Sequence, residues 1–140
     1  MKHATRFMLR GAALVVAATG ALGQGKIDLG KREYEANCVS CHGVSGRGDG
    51  VNRPYLNVSP TDLTGLAKAN GGVLPINRLY MAIDGEKLPR GHGSRDMPTW
   101  GYDYRIRAAE YYGDVDYDQP AFVRTRILAL IEYISRLQEK

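Results

Sequence analysis

Apolar residues recur at Val123, Ile127, Leu130, Ile134 and Leu137, in steps of four and three that return to one face of an α-helix. Pro120 marks the start of that helix, where its missing N–H does no harm. Upstream the pattern is more broken. Leu29 to Asn37 predicts a short helix, with Asp28 as its N-cap and Arg32, Tyr34 and Ala36 as helix-compatible residues. Residues 62–70 predict a second short helix, stopped by Gly71-Gly72. Pro75 opens a third over residues 76–84, with Gly85 just past its end. Glycine-rich residues 43–50 predict a loop, and so do residues 91–100. No stretch alternates like a strand. The expected class is all-α, with short helices and long loops.

The first 23 residues change the picture of charge and address. Lys2, Arg6 and Arg10 precede an apolar run from Gly11 to Leu22, and Ala21-Leu22-Gly23 places small residues at a cleavage position before Gln24. This is the pattern of a cleavable secretory signal, with an uncleaved anchor as the rival reading; the run is short for a span, which takes about 20 residues. The expected division is a signal peptide over 1–23 and one domain over 24–140, working in the periplasm without a stable membrane anchor. The 140-residue chain has 19 basic and 15 acidic residues. Removing Lys2, Arg6 and Arg10 leaves 16 basic residues against the same 15, so bulk charge argues against a nucleic-acid partner. Apolar residues make up 44%, too many for a disordered chain.

Only two cysteines occur, in Cys38-Val39-Ser40-Cys41-His42. C-x-x-C-H is the attachment signature of c-type haem. Two thiols at this spacing add to the two vinyl groups on one porphyrin edge, and the next residue, His42, falls under the iron. A redox dithiol would call for a thioredoxin-like βαβ pattern, which is missing. Half of a zinc site would call for a second ligand pair, which does not follow. An export signal agrees with haem. Short helices of this size also bury too little alone, so a large group at the centre is expected.

With these residues on the page the chain resembles the class I monohaem c-type cytochromes of bacteria. The resemblance spans most of residues 24–140. Gly30 and Tyr34 precede the haem motif, and Tyr133 and Ile134 lie on the last helix; in that family a first-helix glycine lets a last-helix aromatic cross closely. Residues 41–50 look like the family's haem loop. Pro54, twelve residues after His42, stands where the family's loop proline offers its carbonyl to the proximal histidine Nδ1. The resemblance implies the cytochrome c fold wrapped around one covalent haem c, with iron held by His42 and a methionine sulfur.

Two methionines follow the leader, Met81 and Met97. Met81 sits in an apolar helical run, where methionine usually fills a core. Met97 precedes Pro98 in a loop with Trp100-Gly101, similar to the family's ligand loop, and is the expected sixth ligand. His92 is the rival. Trp100, Arg95 and Arg90 carry N–H donors suited to the haem propionates, against the plainer reading of a core tryptophan and solvated arginines. Asp114, Asp116 and Asp118 alternate like a calcium loop, but Gln119 stands where glycine is needed and Thr125 where glutamate is needed. They read as a solvated acidic loop. Residues 101–119 read as a Tyr-rich insertion, longer than the family's usual link.

No nucleophile sits beside a base, and no second metal cluster appears. The expectation is a non-enzymatic periplasmic carrier of one electron between redox-protein donor and acceptor. The alternative is a haem-bearing subunit of a periplasmic oxidoreductase, for example in sulfur-compound or alcohol oxidation, with the insertion as its docking surface.

Overall fold

The computed structural model describes residues 26–85 and 98–139. The signal-peptide reading and residues Arg90, His92, Arg95 and Met97 lie outside these. The described residues form five α-helices and no strand: α1 (Leu29–Asn37), α2 (Val39–His42), α3 (Ile76–Asp84), α4 (Trp100–Tyr112) and α5 (Gln119–Arg136).

Local chemistry sets most of the boundaries. The Asp28 carboxylate accepts the Lys31 N–H at 2.9 Å and starts α1. Asp118 does the same for α5 through the Ala121 N–H, with Pro120 in the first turn. Gly85, at φ 99°, closes α3 by returning its N–H to the Met81 carbonyl. The predicted bounds of α1 and α3 therefore hold, and α5 begins one residue before Pro120.

α5 is the spine. Val123, Ile127, Leu130, Ile131 and Ile134 are buried along it. α1 packs across it most extensively, and α3 and α4 pack on it and on each other. The α1–α5 crossing is possible because residue 30 is glycine. A Cβ there would lie 2.0 Å from the Ala129 carbonyl oxygen and 2.9 Å from the Tyr133 Cβ. Tyr34, one turn further along α1, then meets the Tyr133 ring at 5.0 Å between centroids.

Two expectations need correction. Residues 62–70 do not form a helix; only Lys68–Asn70 makes a single 3-10 turn. The Asp62 carboxylate captures both the Thr64 N–H (2.8 Å) and its hydroxyl (2.6 Å), while the Leu63 N–H goes to the Gly46 carbonyl. These bonds replace the helical ladder with an Asx-type turn. Residues 101–119 are not a plain link either, because Trp100–Tyr112 is helical. Its buried face is Gly101, Tyr104 and Ala108, a stripe without the aliphatic residues that announce a helix. Asp114 and Asp116 are exposed, as expected of a solvated loop.

Candidate haem site

The Cys-x-x-Cys-His segment is one turn of helix. The Cys38 N–H bonds the Tyr34 carbonyl, and the Cys38 carbonyl accepts from both Cys41 (3.1 Å) and His42 (2.9 Å). α1 thus runs almost directly into α2, and its packing on α5 fixes where the motif lies. Both cysteines are free thiols. Cys38 is buried and Cys41 half-buried. Burial first, then the nearby Glu33 carboxylate and Cys41, pushes the Cys38 thiol up to about 12, so it keeps its proton at neutral pH.

His42 is 4% exposed, and its Nδ1 lies 3.0 Å from the Thr61 carbonyl oxygen. A carbonyl only accepts, so Nδ1 carries the hydrogen, which in the neutral ring leaves the lone pair on Nε2. That is the tautomer and orientation of a metal-binding imidazole. The acceptor is not the expected Pro54. Pro54 is exposed in a 3-10 turn, Arg53–Tyr55, that folds back on α2 through the Asn52 N–H to the Ser40 carbonyl. The chain returns to the ring only at Pro60-Thr61. Gly48, at φ 76°, admits it: a Cβ there would lie 2.4 Å from the Pro60 carbonyl oxygen.

Cys38 and His42 line a cavity of about 320 Å³. Its walls are apolar, with Leu63, Leu66, Leu79 and Ile83 on one side and Leu130 and Ile134 from α5. Arg78, Asn70 and Trp100 add polar groups. The Trp100 Nε1–H is buried with no hydrogen-bond partner among the described residues. Such a donor costs roughly 1–3 kcal/mol unless an acceptor reaches it. An apolar macrocycle bearing carboxylates answers both features, and two thiols plus an oriented imidazole complete the donor set. The residues present fit haem. Trp100 lines the cavity from the first residue of α4, where the sequence predicted a loop. Met81 is half-buried on α3 and does not line the cavity.

Two participants, Thr61 and Arg78, escaped the sequence reading, and a third, Tyr34, was read only for its place on the first helix. Thr61 was hidden because a backbone carbonyl has no residue signature; the preceding Pro60 is its only trace. Arg78 lines the cavity one helical turn before Ala82, a spacing visible in the α3 pattern. The buried Tyr34 hydroxyl donates to the Gly43 carbonyl at 2.7 Å and ties α1 to the loop after His42. Among the described residues no group of three or more His, Cys, Asp or Glu gathers to hold a metal ion, and no helix is long and apolar enough to cross a membrane.

Comparison with known proteins agrees with this geometry. No curated protein and no solved structure matches the chain. The family model for Cytochrome c matches residues 27–138, from the residue before the Asp28 cap to Gln138. Because that match takes in both thiols, the ring, the cavity and all five helices, the chain belongs to the cytochrome c family and carries covalent haem c.

Proposed function

We propose that this cytochrome is a periplasmic one-electron carrier with His42 and Met97 as axial ligands, and that it is a carrier rather than a catalyst. The observation that carries the reading is the His42 ring, buried against the cavity with Nδ1 donating to the Thr61 carbonyl. Bound haem supplies an iron that cycles between ferric and ferrous forms by one electron. His42 offers its Nε2 lone pair from a fixed ring, and the carbonyl behind it raises the basicity of that nitrogen. Trp100, through its indole N–H, and Arg78, through its guanidinium, would hold the carboxylates of the group. The aliphatic walls exclude water and lower the local dielectric. Met97 would supply a soft sulfur to the iron, which favours the ferrous form and raises the potential. Ligands on both faces of the iron would leave no room for substrate at the metal, so electrons would pass to and from redox proteins outside.

Residues 1–23 support export, and covalent attachment to C-x-x-C-H agrees with it. The test is at the sixth ligand. A ferric thioether–iron bond gives a weak red charge-transfer band. Met97→Ala abolishes that band, while Met81→Leu, a near-isosteric swap, keeps it and costs under about 1.5 kcal/mol. Loss of the band in Met81→Leu alone assigns the wrong methionine. A wild type without the band, in which His92→Ala opens the iron, makes the site bis-histidine and removes the high-potential reading.

A further inference from the structure

Thr61, whose carbonyl receives the His42 ring, sits in an irregular stretch between the 3-10 turns at Arg53–Tyr55 and Lys68–Asn70. A stretch without a ladder has no neighbours of its own to hold its carbonyls in place, so its backbone bonds must go elsewhere. On one flank the Leu63 N–H bonds the Gly46 carbonyl at 2.7 Å. On the other flank the partners come from the residues after α5. The Gln138 Nε2 donates to the Leu63 carbonyl (2.7 Å) and to the Ile134 carbonyl (2.9 Å). Its Oε1 accepts the Ala67 N–H at 2.9 Å. The Glu139 N–H adds a bond to the Thr64 carbonyl at 2.9 Å. Both ends of the Gln138 amide are therefore used, by backbone groups whose donor and acceptor roles are beyond doubt.

The geometry points to Gln138 as a positioning residue for the proximal histidine: by clasping residues 63–67 to the end of α5, it holds the Thr61 carbonyl on His42 Nδ1 and so sets how strongly that imidazole donates to the iron. This rests on His42 being the proximal ligand. A shorter, better aligned N–H···O bond makes the ring more basic and favours the ferric form. Loosening the clasp lengthens the bond, weakens the donation and raises the potential. The second half of α5 supplies cavity wall through Leu130 and Ile134, and Gln138, just past its end, sets the ring.

The test uses the haem-loaded protein and two readouts, the midpoint potential and the exchange rate of the His42 ring N–H followed by NMR in the ferrous state. Gln138→Met keeps the volume and removes all three bonds; the ring N–H exchanges roughly tenfold faster, as for one weakened hydrogen bond, and the potential shifts upward. Gln138→Glu keeps the acceptor for Ala67 but loses the donor to Leu63, and falls between the two; it also serves if the Met variant does not fold. Arg124→Gly, at an exposed site on α5, weakens the helix without touching the clasp and leaves both readouts at wild-type values. The proposal is overturned if Gln138→Met and Gln138→Glu leave ring exchange and potential unchanged, or if Arg124→Gly moves them equally. A wild-type spectrum showing His42 off the iron overturns instead the ligand assignment beneath it, and this proposal with it.

Discussion

The proximal region and the α4–α5 corner are built by opposite means. Around His42 the chain is held by directional bonds: Tyr34 to Gly43, Leu63 to Gly46, the ring to Thr61, and the Gly48 N–H to the His42 carbonyl at 2.8 Å. At the corner the contacts are ring on ring. Tyr112 stacks on Tyr117 at 4.3 Å and meets Phe122 and Tyr111 edge-on. Arg126 lies over Phe122 at 4.3 Å and pairs with the buried Glu33. Hydrogen bonds fix angles, whereas aromatic packing fills space and tolerates small rotations. The region that must aim an imidazole uses the first, and the region that only has to close a helix pair uses the second.

The largest effect should come from removing the group the proximal region is built around. Cys38→Ser combined with Cys41→Ser leaves no covalent haem, so acidified acetone strips any pigment. The cavity walls then have nothing to pack on, and the variant loses cooperative thermal unfolding. A sharp transition in it would mean the helices hold together without the group.

Next is the crossing that places the motif. Gly30→Val drives a branched side chain into the Ala129 carbonyl and the Tyr133 Cβ. It should cost about 3 kcal/mol, the upper end for overpacking, measured by denaturant titration. An effect below about 1 kcal/mol would mean α1 can lift off α5 freely.

Tyr34→Phe and Tyr111→Ser divide the two regions directly. The first removes the bond to Gly43 and leaves its buried carbonyl with only the longer bond from the Gly46 N–H, at a cost of about 1–1.5 kcal/mol. The second changes an 81% exposed ring and should stay within about 0.5 kcal/mol. Equal costs would erase the contrast. If Tyr111→Ser, alone or with Tyr102→Ser, keeps the spectrum but slows electron transfer to a partner, α4 is a docking face.

The smallest effect is in acid. Backbone and then side-chain bonds, from Lys31 and Arg136, hold the Asp28 carboxyl below its ordinary 3.8. The Thr64 hydroxyl and N–H do the same for Asp62. A depressed carboxyl stabilises the fold above its unfolded value, and the contribution is lost as pH falls through the lower folded value. Stability should therefore be flat in these groups above 3.8 and decline below it. Asp62→Asn should shallow that decline.

How far the sequence could be read follows the same division. α1, α3 and α5 were legible because caps, terminal glycines and aliphatic stripes act locally. The haem motif was legible because its chemistry demands one spacing. The turn over residues 62–70 was not, since its bonds run to Gly46 and Gln138, far away in the chain. α4 was not, since its buried face is glycine, tyrosine and alanine. The proximal acceptor moved from Pro54 to Thr61 because a carbonyl leaves no mark in a sequence and a glycine, Gly48, decides where the chain can return.

The most direct test of the carrier reading is the visible spectrum of the reduced wild-type protein before and after carbon monoxide. Two filled axial positions predict an unchanged spectrum at neutral pH, with CO binding appearing only in Met97→Ala. Ready CO binding by the wild type would show an open iron and contradict the account.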